Sequence, residues 1–233
     1  MELEYLFYAP TVDDAGLYVL DAEEARHASR ALRLGVGDEL AWTDGRGAGW
    51  RGRIEAQQRD GMLLRPARLL PAANTRPLRL IVGALHDAAR LEWLAEKATE
   101  LGVTRFDVVA TARTQRTRYR MARLRAKALA AMKQSRRFVL PELKDLPFAE
   151  AIASLDGSGV VAHCHGDLPR QHMREVPLPL DYVIIGPEGD LTAEEVAGAR
   201  ARGAVPVSLG STRLRTETAA VSALAYAQLA ADA

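Results

Sequence analysis

Apolar and polar positions along this chain follow two regimes. Over the first seventy residues the apolar positions come in short runs separated by turns. Segments 39–43, 50–57 and 62–70 have strand composition, and Asp44-Gly-Arg-Gly and Asp60-Gly between them are hairpin signals. One helix precedes them, opened by the capping-box spacing Asp21-Ala-Glu-Glu24 and carrying His27 and Arg30. Short strands with tight turns predict a small β-barrel. Two prolines and small polar residues break the pattern over 71–77, which predicts one domain over 1–72 and a second over 73–233.

Beyond that boundary strand-like and helix-like periods alternate. Strands are predicted over 78–85, 106–110, 160–164, 182–185 and 205–209. Helices are predicted over 89–101, 118–134, 147–155 (opened by Pro147), from Thr192 onward and over 216–230. Leu91, Leu94, Ala98 and Leu101 share one helix face, and Met121, Leu124, Ala128 and Met132 form a stripe on another. Repeated β-α alternation predicts an α/β domain with a mainly parallel sheet covered by helices.

Residues 181–190, Asp-Tyr-Val-Ile-Ile-Gly-Pro-Glu-Gly-Asp, organise this second part. The run 182–185 lacks alternation, as a strand buried on both faces should. Gly186 and Gly189 permit a tight turn, and the capping box Thr192-Ala-Glu-Glu195 starts a helix whose free amides face that turn. A second strand, turn and helix follow around Gly210. Their connection, 209–219, gathers Arg213, Arg215, Glu217 and several threonines. The two turns are expected side by side, forming a crevice outside the strand carboxyl ends, where ligands of open α/β sheets bind.

Composition narrows the class. The 233 residues are 48% hydrophobic, enough for ordinary cores. No apolar run approaches a membrane span, the N-terminus lacks signal-peptide blocks, and the single cysteine, Cys164, forbids an internal disulfide. A cytoplasmic protein without membrane contact is expected. Net charge is only +1, yet segment 113–137 holds ten Lys or Arg and no acid, leaving 21 basic against 30 acidic residues elsewhere. Without interleaved glutamates such a run repels itself unless an anion neutralises it, which points to nucleic acid phosphates. Arg113, Arg116, Arg118, Arg120 and Arg136 are its candidate contacts.

Several chemistries are excluded. Neither the dinucleotide fingerprint nor a P-loop is present, and no serine or cysteine occupies a nucleophile elbow. His163, Cys164 and His165 suggest a metal, but on a strand the two histidines face opposite to the cysteine and no second cysteine pair completes a zinc site. No metal is expected.

Five ordered motifs then carry a resemblance over nearly the whole chain. They are His27-Ala-Ser-Arg-Ala-Leu-Arg-Leu-Gly-Val-Gly-Asp38, Lys97-Ala-Thr-Glu-Leu-Gly-Val103, Gln134-Ser-Arg-Arg137, Ile185-Gly-Pro-Glu-Gly189 and Leu214-Arg-Thr-Glu-Thr-Ala219. Together they resemble the RsmE family of SPOUT-class methyltransferases, which modify N3 of uridine 1498 in 16S ribosomal RNA of the small ribosomal subunit. The resemblance implies a PUA-like RNA-binding barrel, an α/β domain with a C-terminal trefoil knot, S-adenosylmethionine as cofactor, and a homodimer. It implies RNA contacts at His27, Arg30 and Arg33. It implies cofactor contacts at His163, Ile185, Gly186, Pro187, Glu188, Gly189, Ser208, Leu209, Gly210 and Leu214. Asp190 stands where the family usually has a second glycine, and Ser211 to Arg213 where it has Pro-Arg-Ile. Methyl transfer to N3 requires loss of a weakly acidic proton. That chemistry points to Arg215 as the cation favouring the uridine anion and to Glu217 as candidate proton acceptor. The residues alone also admit a SPOUT enzyme with another RNA target, or a non-catalytic RNA-binding protein.

Overall fold

The computed structural model describes residues 5–71, 76–115 and 118–229. Its residues fall into two compact units. The first comprises the described residues up to 71 together with Leu129–Leu140; the second comprises the rest. The boundary expected after residue 72 falls among residues outside the description.

The first unit holds β1 (Phe7–Tyr8), β2 (Thr11–Val12), β3 (Tyr18–Asp21), α1 (Ala22–Ala31), β4 (Glu39–Thr43), β5 (Gly49–Gln58) and β6 (Gly61–Leu69). They form a six-stranded sheet in the order β1-β4-β5-β6-β3-β2. Its core gathers Phe7, Leu20, Leu40, Trp42, Ile54, Met62 and Leu64 with Ala25 and Ala28 of α1. The three hairpin strands lie where their composition puts them. The brief strands β1 to β3 carry too few residues to establish a period. Asp21 caps α1 through the amides of Glu23 and Glu24, but the expected capping box does not close. Glu24 instead accepts from the Tyr8 amide and pairs with Lys133, a residue more than a hundred positions away.

The second unit holds β7 (Arg79–Gly83), α2 (Ala88–Glu100), β8 (Arg105–Ala110), the larger part of α3 (Met121–Gln134), β9 (Glu142–Pro147), α4 (Phe148–Ala153), β10 (Gly159–Ala162), β11 (Gln171–His172), β12 (Tyr182–Ile185), α5 (Ala193–Ala201), β13 (Val205–Ser208) and α6 (Thr216–Leu229). Its seven strands are all parallel, in the order β11-β13-β10-β12-β7-β8-β9. Alternate strand residues feed two separate cores. Val183 and Ile185 join Leu80, Val82, Val160 and the apolar faces of α2 and α6. Tyr182 and Ile184 join Ile81, Val161 and residues of α4 and α5. Burial on both faces explains why 182–185 shows no polar alternation.

Three expectations change. Polar, half-exposed 142–147 forms an edge strand, stabilised by its parallel ladder to β8 rather than by burial. Helix α3 starts at Met121, later than expected. The turns after β12 and β13 are not neighbours, because β10 lies between their strands.

Candidate active site

β10, β12 and β13 end at one level, since Ala162 pairs with Ile185 on one side and Val207 on the other. The three segments that follow enclose a cavity of about 550 Å³ at the carboxyl edge of the sheet. His163, Ile185, Gly186, Pro187, Glu188, Ser208, Leu209, Gly210 and Leu214 line it, and Arg213 and Arg215 do so as well. Gly189 and Glu217 are outside the lining. The crevice expected between two adjacent turns is therefore a three-sided pocket with the end of β10 at its centre.

The glycines serve different purposes. A Cβ at Gly186 would stand 2.8 Å from the Leu191 amide nitrogen, so the turn's own backbone demands glycine there. At Gly210 nothing lies within 4 Å, but φ is +153°, which side chains rarely adopt. Gly83 ends β7 with Pro187 packed directly against it, and a Cβ would fall 2.4 Å from the proline ring.

β10 stops at Ala162, so His163, Cys164 and His165 follow the strand and the facing argument made for them does not apply. His163 is 4% exposed, and neither ring nitrogen has a partner among the described residues. Burial, helped by the Arg170 guanidinium, holds its pKa below the usual 6.5, leaving a neutral imidazole at physiological pH. His165 Nε2 lies 2.6 Å from the Leu191 carbonyl, which can only accept, so that nitrogen carries the proton.

Arg215 is exposed, and while its carbonyl accepts from the Ala219 amide, its guanidinium has no hydrogen-bond or ion-pair partner among the described residues. Arg213 shares the lining, and its Nη2 donates to the Glu188 carbonyl at 3.5 Å. Glu217 faces Arg90 at 3.8 Å instead of Arg215. Arg90 and Arg170 line the cavity without having been anticipated. A cation in the first turn of α2 opposes the helix dipole, and that misfit was the available signal for Arg90. Arg170 lies in the irregular connection after β10 and carried no signal. Four arginines against Glu188 and Asp190 give the wall a positive balance.

The residues expected to meet RNA are distributed over both units. His27, Arg30 and Arg33 are exposed on or just after α1, and Arg136 is exposed in the part of the first unit drawn from 129–140. Arg118 and Arg120 are exposed in the second unit. Arg116 lies outside the described residues. Arg113 is exposed, but its Nη1 donates to the carbonyls of Gly189 and Leu191 at 3.1 and 3.4 Å.

Residues 73–228 match the family model described as RNA methyltransferase domain, and residues 20–66 match RNA methyltransferase PUA domain. Ribosomal RNA small subunit methyltransferase E of Mycobacterium bovis is 31% identical, covering 94% of this chain and 89% of that protein. The crystal structure of a probable rRNA-methyltransferase from Porphyromonas gingivalis has 32% identity and a TM-score of 0.84, covering 97% of this chain and 99% of that one. A Legionella pneumophila protein solved in complex with the cofactor SAM has 26% identity and a TM-score of 0.80, covering 97% of each chain. The glycine turns, the pocket at the strand ends and these likenesses over nearly the full length agree: the chain belongs to the ribosomal RNA small subunit methyltransferase E family.

Proposed function

We propose that this chain transfers a methyl group from S-adenosylmethionine to N3 of uridine 1498 in 16S ribosomal RNA of the small ribosomal subunit. In this reading it acts as a homodimer, and its C-terminal domain carries the SPOUT trefoil knot. The observation that carries the reading is the pocket where β10, β12 and β13 end, with an arginine on its wall whose guanidinium has no partner among the described residues.

The lining fits the cofactor. Ile185, Leu209, Leu214 and Ala219 supply apolar surface for a ring, and the turn backbones supply amides and carbonyls. His163 supplies buried ring nitrogens without partners among the described residues, and the arginines suit a carboxylate. When bound, the cofactor provides a methyl group already activated by its sulfonium, so no covalent enzyme nucleophile is required.

The protein's contribution is alignment and charge. Arg215 holds a cation on the open side of the pocket, where it lowers the cost of uridine losing its N3 proton. Glu217 stands outside the lining and faces Arg90, so its role here is to position that arginine, and the proton leaves to water. Arg118 and Arg120, with Arg30, Arg33 and Arg136, are the cations offered to RNA phosphates, and His27 is a further RNA contact beside them.

Two measurements test this. Calorimetry should show binding of S-adenosylmethionine to the native protein. Mass spectrometry of 16S ribosomal RNA from cells lacking the gene should show 3-methyluridine lost at one site and restored by the native gene. Absence of cofactor binding removes the enzyme reading; loss of a different modified nucleotide moves the target.

A further inference from the structure

The turn after β12 is held by side chains that the chemistry above does not use. Asp190 has φ +65°, a left-handed conformation that glycine adopts freely and other residues only with strain. Its carboxylate accepts two backbone hydrogen bonds. Oδ1 takes the Leu191 amide at 2.8 Å within the turn, and Oδ2 takes the Cys164 amide at 2.8 Å in the segment after β10. The second bond joins two walls of the cavity that are 26 residues apart in sequence.

Arg113 holds the same turn by its carbonyls. Its guanidinium binds Gly189 and Leu191, the residues on either side of Asp190. Beside it the Ala112 amide donates to Glu195 Oε1 at 2.8 Å, while Glu195 Oε2 accepts from the Thr192 amide at 2.8 Å. A turn packed at a pocket edge cannot satisfy these backbone groups with helix or strand partners, so side chains do it.

We infer that Asp190 is a positioning residue for the cofactor, locking the turn after β12 to the segment after β10, with Arg113 as the second brace. The inference rests on the reading of the cavity as a cofactor site. Glycine would be the better residue at position 190 if only the backbone conformation mattered. What aspartate adds is the bridge, and the bridge fixes the distance between two walls. Arg113 belongs to this brace and not to the phosphate-contacting set. Both bonds come from Nη1 at the far end of the guanidinium, and a lysine ammonium ends one bond short of that position.

Calorimetry with S-adenosylmethionine on purified protein tests both residues. Asp190→Gly should weaken binding at least tenfold with a melting temperature near native, because it relaxes the backbone while removing the bridge. Asp190→Asn should fall between, since the amide keeps one acceptor and turns a donor toward the other N–H. Hydrogen exchange at the Cys164 amide should accelerate in Asp190→Gly, whatever happens to its melting temperature. Native affinity in Asp190→Gly, or unchanged exchange at Cys164, overturns the inference. Arg113→Ala and Arg113→Lys should both weaken cofactor binding and leave the salt dependence of RNA binding unchanged; the opposite pattern returns Arg113 to the phosphates. If native protein fails to bind the cofactor, the proposed function fails, while the exchange measurement still decides the bridge.

Discussion

Arg215 and Arg213 line the same cavity two residues apart, and the difference between them is what each touches. Arg213 reaches a carbonyl of the turn after β12, whereas the Arg215 guanidinium has no partner among the described residues and is available to substrate. Arg215→Lys keeps the charge but loses the planar fork. Single-turnover methylation should slow by about tenfold to a thousandfold, corresponding to about 1.4 to 4 kcal/mol of transition-state stabilisation, with cofactor affinity near native. A native rate in that variant ends the catalytic assignment. The glycines separate in the same way. Gly186→Ala drives a Cβ against the Leu191 amide and should cost about 1 to 3 kcal/mol in urea denaturation. Gly210→Ala meets open space, so any loss of similar size must come from its backbone conformation alone. His163 makes stability depend on pH. Its folded pKa lies below the ordinary 6.5, so between those values the unfolded chain holds a proton that the folded chain lacks. Its contribution is complete above about pH 6.5 and is lost as pH falls below that value. The native urea midpoint should drop between pH 7.5 and pH 5.5 more steeply than that of His163→Gln.

Among the elements, α5 shows how local sequence and the site cooperate. Its capping box closes as its spacing requires: the Thr192 hydroxyl accepts the Glu195 amide and the Glu195 carboxylate accepts the Thr192 amide. The same Glu195 also holds the Ala112 amide, so this cap ties the helix start to the connection after β8. Thr192→Ala should lower stability by about 0.5 to 2 kcal/mol, read from the urea midpoint, as other lost N-caps do. The identical spacing at Asp21 to Glu24 does not close, because Glu24 is taken by Tyr8 and Lys133. A motif of four residues establishes what a side chain can reach, and distant partners establish what it does reach.

At the scale of the molecule, the proposed function assigns RNA phosphates to the exposed cations of each unit. Replacing Arg118 and Arg120 by alanine should reduce the slope of log affinity against log salt by a little under one unit per lost phosphate contact, about 0.7 to 0.9 each. Cofactor affinity should stay native, because neither residue lines the cavity. An unchanged slope would mean that these arginines are only solvated side chains of the segment before α3.

Much of this arrangement was legible in the chain. Apolar runs that bury both faces, caps, glycine turns and hairpin signals are local, and their physics acts over a few residues. They placed β4 to β6, α2, β12, α5 and α6 closely, and they marked the turns at Gly186 and Gly210. Strand order is a different matter, since it is set by which faces pack together across the sheet. The insertion of β10 between β12 and β13 was invisible to periodicity, and with it the central place of His163. Partner choice was equally hidden. Arg90 opposite Glu217, Arg113 on the turn carbonyls, and Asp190 bridging to Cys164 all join residues far apart in sequence. Their pairings depend on distances that exist only once the chain has closed into its sheet.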